Sequence, residues 1–243
     1  MDRPVRPLAM ALVIIVAIVI VGAGLFTLAS PPQERDTLYQ IGSLDDLVDG
    51  RLDGTASVGS MLDHGDIGLG TFNGLDGEMI VIDGRCYRAA ADGSVSEMPS
   101  GQLTPFAQIS RFDRDGSVSI TEGMNYSGVK SLLETSLPSL TVFYLLRIDG
   151  TFNVTVRSVP GQTAPYPPLE DVIANQTVFQ YQDVAGTLVG LWSPDSSAGL
   201  SSSGFHFHFI SQDRSKGGHV LDLQLEDVTA YWDSTASYDV DLN

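Results

Sequence analysis

Three of the four histidines in this 243-residue chain, His206, His208 and His219, lie close together in the segment GFHFHFISQDRSKGGHVLD. Neutral imidazole nitrogens are good zinc ligands, and three protein ligands leave a coordination position open, as is typical of catalytic zinc sites. Copper, iron and manganese also accept imidazole, so zinc is a preference among these metals. The spacing predicts a three-histidine metal site that could support catalysis.

A β-hairpin would bring the three histidines together. Side chains alternate between the two faces of a strand, so His206 and His208 point the same way and the phenylalanines around them take the other face. Residues 211–217 supply a loop, and His219 then lies on the adjacent strand. Three unconnected strand histidines are the alternative interpretation. The aromatic-backed H-x-H pattern, with a third histidine across a hairpin, favours the metal site.

Acidic side chains near the histidines could orient a ligand. Asp213 lies in the predicted loop, and Asp222 follows His219 on the predicted strand. A carboxylate often holds a metal-binding histidine in position. For both aspartates, hydrogen bonding within a loop or turn is the favoured role.

Composition excludes some classes of function. The chain has 30 acidic and 13 basic residues, which give a formal net charge of −17. Proteins that bind nucleic acid need the opposite sign, so we exclude that class. An anionic small substrate would be repelled at long range, so its site would need a local cation. The length and the 43% content of hydrophobic residues fit one large or two small domains.

The N-terminus carries an uncharged apolar run over residues 8–29. About 20 apolar residues can cross a bilayer as a helix, whereas secretory signals usually have an apolar core of about 7–15 residues. The run therefore favours an uncleaved anchor, with cleavage after Ala29 as the alternative. Arg3 and Arg6 favour an N-terminus inside the cell. We expect a membrane-anchored protein with its catalytic domain outside, or a secreted one if the leader is cleaved.

Local patterns predict short strands and helices along the rest of the chain. We expect a hairpin that includes strands near Thr71 and over 79–82, a strand in PFAQISRF, a helix over 127–137, a hairpin over 142–159 with its tip at Asp149-Gly150, and a helix over 168–176. A short helix precedes both GTFNGLDGEMIVIDG and FQYQDVAGTLVGLWSP. This weak similarity between the two segments leaves an internal duplication open.

Several separate blocks of the sequence carry a family resemblance. They are GLGTFNGLDGEMIVIDG, TPFAQISRF, FYLLRIDGTFNVTVRSVPGQTAPYPPL, GTLVGLWSP and the histidine segment. Together, from about Leu38 to Val228, they closely resemble the α-acetolactate decarboxylase family. The resemblance implies an α/β (α+β) fold of two domains with mixed sheets and a zinc site near their junction. We therefore expect a leader with linker over 1–33, a first domain over 34–160, and a second over 161–243 that carries the zinc hairpin.

The resemblance also implies a reaction and its residues. The family converts (S)-2-acetolactate to (R)-acetoin and carbon dioxide through a metal-stabilised enediolate. By motif position, the three histidines are the zinc ligands, Glu78 in LDGEM and Arg157 in RSVP are active-site residues, and Thr71 in GTF lines the pocket. Arg157 could grip a carboxylate bidentately, and Glu78 could move a proton. Without the family blocks, a surface salt bridge and a solvated turn carboxylate would be favoured for these two.

One departure and two alternative functions stay open. The family often has a C-terminal tail with a further active-site glutamate, but no glutamate follows Glu226 here. Asp239 or Asp241 could substitute, or the rate and stereochemistry could differ. The alternatives are another zinc enzyme, such as a hydrolase, and an exported non-catalytic metal-binding or ligand-binding module. We expect a small 2-hydroxy-3-oxo acid as substrate, membrane contact through the N-terminal helix only, and leave a homodimer open.

Overall fold

Strands dominate the chain in a computed structural model that describes residues 36–235 and 237–242. Four short α-helices occur in these residues: α1 (Leu44–Val48), α2 (Val58–Leu62), α3 (Tyr126–Ser136) and α4 (Leu169–Ala174). The strands are β1 (Thr37–Ile41), β2 (Ala56–Ser57), β3 (Ile67–Thr71), β4 (Glu78–Ile82), β5 (Arg85–Ala89), β6 (Val95–Glu97), β7 (Leu103–Thr104), β8 (Ala107–Ser110), β9 (Gly116–Ile120), β10 (Met124–Asn125), β11 (Phe143–Ser158), β12 (Thr177–Ser193), β13 (Gly204–Ser211), β14 (Gly217–Leu225), β15 (Val228–Thr235) and β16 (Ser237–Asp241).

The strands form two seven-stranded sheets and one small ribbon. The first sheet has the order β16-β1-β8-β3-β4-β5-β6, and the second has the order β10-β14-β13-β12-β11-β15-β9. Strand β16 runs parallel to β1, whereas β1 and β8 are antiparallel, so the first sheet is mixed. One mixed and one antiparallel sheet, together with few helices, confirm the predicted α+β class.

A shared apolar layer lies between the two sheets. It joins buried side chains of the first sheet, such as Leu69 and Ile80, to Leu145, Val189 and Ile210 of the second. Burial of apolar side chains is the dominant favourable term in folding, so this layer fixes how the sheets face each other. Residues that alternate onto the inner face of β3 and β4 therefore point toward the second sheet.

The second sheet contains a closed ring of four strands. Strand β11 pairs with β12 and also with β14, while β13 pairs with both β12 and β14. His219 on β14 lies opposite His208 on β13 and opposite Arg157 on β11. Phe207 and Phe209 are buried in the core on the other face of β13. The closure brings the histidine hairpin and Arg157 to one place.

The hairpin predicted over 142–159 is wrong, because this segment is the single strand β11. Its long antiparallel partner β12 continues past the predicted tip, with Gly150 opposite Gly186. A Cβ on Gly150 would lie 2.5 Å from Cγ1 of Val228. Gly150 thus permits close packing rather than a turn. The unbroken strand carries Arg157 to the end of the sheet at which the histidines lie.

Most other local predictions are confirmed. A hairpin joins β3 and β4, another joins β4 and β5, the strand in PFAQISRF is β8, and the two predicted helices are α3 and α4. At the tip between β4 and β5, Asp83 and Gly84 have φ values of 51° and 71°. Two consecutive positive φ values are what a tight hairpin turn of this kind requires.

The remaining predictions on organisation are not decided by these elements. The N-terminal hydrophobic helix predicted over 8–29 lies outside the described residues. None of the described helices is long and apolar enough to cross a membrane. The domain boundary at residue 160 stays a prediction, and it falls between β11 and β12, which pair along most of their length. The internal duplication stays open. Of the two similar segments, the first forms β3 and β4 and the second forms β12.

Candidate metal and substrate site

The three predicted histidines converge on one point of the β13–β14 hairpin. Nε2 of His206 lies 3.1 Å from Nε2 of His208 and 2.9 Å from Nδ1 of His219. Zinc–nitrogen bonds of about 2.0–2.1 Å in a tetrahedral site place ligand nitrogens about 3.3 Å apart. The donor set and its spacing therefore fit a zinc ion. Among the described residues, these three histidines form the cluster of possible metal ligands whose ligand atoms lie close enough together, within 4.8 Å of one another, to hold one ion.

Glycines at the start of β14 allow this close approach. Gly218 has a φ of +148°, and a Cβ there would lie 2.6 Å from the carbonyl oxygen of Arg157. A larger residue would push β14 away from β11. The Gly217-Gly218 pair thus lets His219 sit between its two partner strands.

The protonation of the histidines suits metal binding. Nδ1 of His208 lies 2.7 Å from the carbonyl oxygen of Met79, which can only accept, so Nδ1 carries the proton and Nε2 keeps its lone pair. Burial lowers the pKa of His206 to about 4, and the positive charge of Arg157 adds to this effect. Burial also holds the pKa values of His208 and His219 well below the usual range. At neutral pH all three rings are neutral, which is the form that binds metals.

Glu78 and Arg157 meet beside the histidines. Nη1 of Arg157 donates a 2.6 Å hydrogen bond to Oε1 of Glu78, and Oε2 of Glu78 lies 3.5 Å from Nε2 of His208. Burial raises the pKa of Glu78 to about 7, although the charge of Arg157 acts in the opposite direction. Near neutral pH this carboxyl group can therefore both hold and release a proton.

Thr71 lies opposite Glu78 in the β3–β4 pair and on the same face. Its Oγ1 donates a 2.8 Å hydrogen bond to the carbonyl oxygen of Gly77. The hydroxyl hydrogen is thereby engaged, so towards a ligand Thr71 offers an acceptor.

These six side chains line one cavity of about 350 Å³. Apolar side chains of α1 and α4, among them Leu47 and Ile173, form part of its wall. The cavity combines a polar base with a largely apolar wall, which is the usual character of a small-molecule site.

The sequence prediction missed part of this wall and one polar residue. Helix α1 was not among the predicted helices, although Ser43 and Asp46 form a capping box that indicates a helix start. Gln108 on β8 also lines the cavity and was not singled out. No local pattern marks it, because its neighbours come from distant parts of the chain.

The other acidic candidates lie elsewhere. Oδ1 of Asp213 accepts hydrogen bonds from Ser211 and Ser215, so it has the favoured loop role. Asp239 and Asp241, the possible substitutes for a tail glutamate, lie on β16 and are not among the described residues that line the cavity.

Comparison with known proteins decides the family. A family model described as alpha-acetolactate decarboxylase matches residues 38–243. The chain belongs to the α-acetolactate decarboxylase family. The predicted resemblance is thereby confirmed, and the chain is a member of an enzyme family of carboxy-lyases.

Several α-acetolactate decarboxylases are similar over most of the chain. The protein of that name from Methanosarcina mazei is 40% identical over 208 residues, which cover 85% of this chain and 72% of that protein. The one from Bacillus licheniformis is 39% identical over 195 residues, covering 80% and 77%. A crystal structure of α-acetolactate decarboxylase from Bacillus subtilis aligns with a TM-score of 0.82 and 36% identity, covering 84% of this chain and 88% of that one.

Proposed function

We propose that the protein is a zinc-dependent enzyme that converts (S)-2-acetolactate to (R)-acetoin and carbon dioxide. The observation that carries this function is the convergence of the three histidines with the Glu78–Arg157 pair in one cavity. A protein that only binds metal has no need of a buried acid and a buried cation beside its ligands. The family membership supports the same reaction.

His206, His208 and His219 would hold the zinc ion. A bound zinc ion would supply Lewis-acid stabilisation of negative charge on the substrate oxygens. The three neutral imidazoles contribute no negative charge of their own, so the site keeps its full attraction for oxygen ligands. Copper, iron or manganese would suit the same nitrogens, and zinc is preferred.

Arg157 would bind the substrate carboxylate. It is the one arginine or lysine among the described residues that line the cavity. A guanidinium has five N–H donors, and the hydrogen bond to Glu78 uses Nη1, so other donors can face a carboxylate. In a chain with a net charge of −17, Arg157 supplies the local cation that an anionic substrate needs.

Glu78 would supply the proton that completes the reaction. Cleavage of the bond between C1 and C2 of acetolactate releases carbon dioxide and leaves an electron pair shared between C2 and the adjacent carbonyl. One proton added at C2 then gives acetoin, so the overall reaction consumes one proton per anion. With a pKa raised to about 7 by burial, Glu78 holds this proton and can recover it from solvent afterwards.

The apolar wall would limit the water that reaches the reacting carbon. Leu44 and Leu47 of α1 face the same cavity as Leu169 and Ile173 of α4. A drier cavity strengthens the attraction between Arg157 and a carboxylate, because fewer water molecules screen the charges.

Turnover of racemic acetolactate by the purified protein tests this function. We expect one enantiomer to be consumed, with carbon dioxide and acetoin in equal amounts and at a rate far above that of a heat-inactivated sample. Absence of acetoin with zinc-loaded protein would contradict the proposed reaction. Ester hydrolysis by such a sample would favour a hydrolase, and metal binding without any turnover would favour a binding module.

We also propose that the apolar run over residues 8–29 anchors the enzyme at the outer face of a membrane. Its length and the two preceding arginines support this placement. Protease added to intact cells should then degrade the catalytic part. Recovery of the protein in the soluble fraction inside the cell, protected from protease, would contradict the proposal.

A further inference from the structure

Gln108 is a buried polar residue of the cavity that the reaction described above does not use. It lies on β8, is 1% exposed, and lines the same cavity as the histidines. Its Nε2 donates hydrogen bonds to Oε1 of Gln40 at 2.7 Å and to Oγ of Ser201 at 3.0 Å. A side-chain amide has two N–H donors, so both are engaged.

The orientation of Gln108 is fixed by its neighbour. Nε2 of Gln40 donates to the carbonyl oxygens of Gly42 at 2.8 Å and Leu200 at 2.9 Å. Carbonyl oxygens only accept, so Gln40 cannot turn its amide over without losing both bonds. Its Oε1 must then face Gln108, and it also accepts a 2.6 Å hydrogen bond from the hydroxyl of Tyr238. Gln108 therefore has to present Nε2, and not Oε1, to this network.

Oε1 of Gln108 is left for the cavity. None of the described residues donates a hydrogen bond to it. In the described chain, the fully buried side-chain oxygens that lack a hydrogen-bond partner belong to Gln176 and Asp233. Oε1 of Gln108 is not one of them, so it has access to the cavity. A fixed amide oxygen in a cavity binds hydroxyl or N–H donors and is poorly matched by apolar groups.

We propose that Gln108 determines specificity by accepting a hydrogen bond from the 2-hydroxyl group of the substrate, which selects 2-hydroxy-3-oxo acids over acids without that hydroxyl. This role rests on the proposed function, because it concerns the substrate of the same cavity. Thr71 Oγ1 is a second acceptor, since its hydrogen is engaged with Gly77. Arg157 would hold the carboxylate, so a hydroxyl on the neighbouring carbon is the donor that Gln108 can recognise.

Gln40 and Tyr238 act through Gln108 and are positioning residues. Tyr238 lies on β16, which is held to the edge of the first sheet by its parallel pairing with β1. The hydrogen bond from its hydroxyl to Gln40 thus connects β16, through Gln40, to Gln108 and its cavity-facing Oε1. Loss of this hydroxyl would let the Gln40 amide move and would weaken the orientation of Gln108.

Two acids that lack the 3-oxo group, and so cannot be decarboxylated in the same way, allow recognition of the hydroxyl to be measured by binding alone. 2-Hydroxy-2-methylbutanoate and 2,2-dimethylbutanoate differ only in a hydroxyl in place of a methyl group, and calorimetry gives their dissociation constants with the metal-loaded protein. Loss of the acceptor oxygen should weaken binding of the hydroxy acid about tenfold, which corresponds to about 1.4 kcal/mol. In Gln108→Met, the preference for the hydroxy acid should fall by about tenfold relative to the unchanged protein. An equal loss of affinity for both acids would indicate a structural role and overturn the proposal.

Tyr238→Phe gives a second measurement if Gln108→Met does not fold. It should lower the same preference severalfold, whereas the control Tyr39→Phe should leave it unchanged. Tyr39 lies on β1 opposite Asp239 of β16, and its hydroxyl donates to Asp241 of β16. An unchanged preference in Tyr238→Phe, or an equal change in the control, would overturn the proposed role. Calorimetry does not require turnover, so absence of acetoin from the unchanged protein would contradict the proposed function separately.

Discussion

Nη1 of Arg157 donates a 2.6 Å hydrogen bond to Oε1 of Glu78, although the two residues belong to different sheets. A second bond joins the same sheets nearby, from Nδ1 of His208 to the carbonyl oxygen of Met79. The neighbouring residues Glu78 and Met79 thus connect β4 to Arg157, the proposed cation for the substrate, and to His208, a proposed metal ligand. The two sheets that these bonds connect also share the apolar layer described above.

Glu78→Gln should separate proton transfer from binding. The amide oxygen can still accept the bond from Arg157, but the amide cannot release a proton near neutral pH. We expect kcat to fall by about 10²–10⁴-fold. KM and bound zinc should change little. Steady-state kinetics with metal analysis would check this, and a kcat within fivefold of the unchanged protein would contradict the role of Glu78.

Arg157→Met should affect substrate binding and also the pH profile. Loss of a buried charged partner costs about 2–5 kcal/mol, so kcat/KM should fall by at least about 30-fold. The charge of Arg157 lowers the pKa of Glu78, so its removal should raise that pKa further. Because the protonated acid is the proton donor, activity lost as pH rises should then be lost at a higher pH.

The control for Arg157→Met is Arg147→Met. Arg147 pairs with Asp83 and Asp149 outside the cavity. Its replacement should leave kcat/KM and the pH profile unchanged. Equal losses in the two variants would indicate a general effect of lost arginine charge rather than a carboxylate site.

His208→Ala should lose the metal. The histidine is 1% exposed and supplies one of the three converging nitrogens. We expect dialysis at neutral pH to remove the zinc from this variant and to leave it in His64→Ala. His64 is the fourth histidine, and its ring stacks on Tyr39 at 3.7 Å, away from the cluster. Tightly bound zinc in His208→Ala, as measured by elemental analysis, would contradict the ligand assignment.

The convergence of the three histidines could be predicted from sequence because their geometry is local. A strand alternates its faces, and a short loop returns the chain, so the spacing of His206, His208 and His219 already implies their convergence. Glu78 and Arg157 depended on the family resemblance, since each alone matches ordinary surface residues. The course of β11 could not be predicted, because Asp149-Gly150 resembles a turn when its partner strand is not known.

The role of Gln108 in the cavity could not be predicted from the sequence for a different reason. Its orientation depends on Gln40, 68 residues away, and on Ser201, 93 residues away. A glutamine in an apolar strand gives no indication of such partners. Helix α1, which forms part of the cavity wall, could have been predicted, because the capping box of Ser43 and Asp46 is a local sequence pattern.

Asp233→Asn should stabilise the protein increasingly as pH rises. Asp233 is buried, and its Oδ1 has no hydrogen-bond partner in the described chain. Burial raises its pKa to about 7. The hydrogen bond from the N–H of Asp113 opposes this rise, whereas the negative charges of Asp115, Asp36 and Asp113 add to it. An unfolded aspartate has a pKa of about 3.9. The folded protein therefore binds the extra proton between about pH 4 and 7 and loses stability as pH rises through that range.

Thermal unfolding at pH 5 and pH 8 measures this effect. The melting temperature of Asp233→Asn, relative to the unchanged protein, should be higher at pH 8 than at pH 5. Asp213→Asn is the control, because hydrogen bonds from two serines lower the pKa of Asp213 to about 2. Its titration is complete below pH 5, so its difference should stay constant. A constant difference for Asp233→Asn would contradict the prediction.

Zinc titration of metal-stripped protein tests most directly that the three histidines form a catalytic centre. Chelator should abolish acetoin formation from acetolactate. Added zinc should then restore the rate in proportion up to one equivalent per chain and no further. Full acetoin formation by the stripped protein, or none after one equivalent of zinc has bound, would contradict the account.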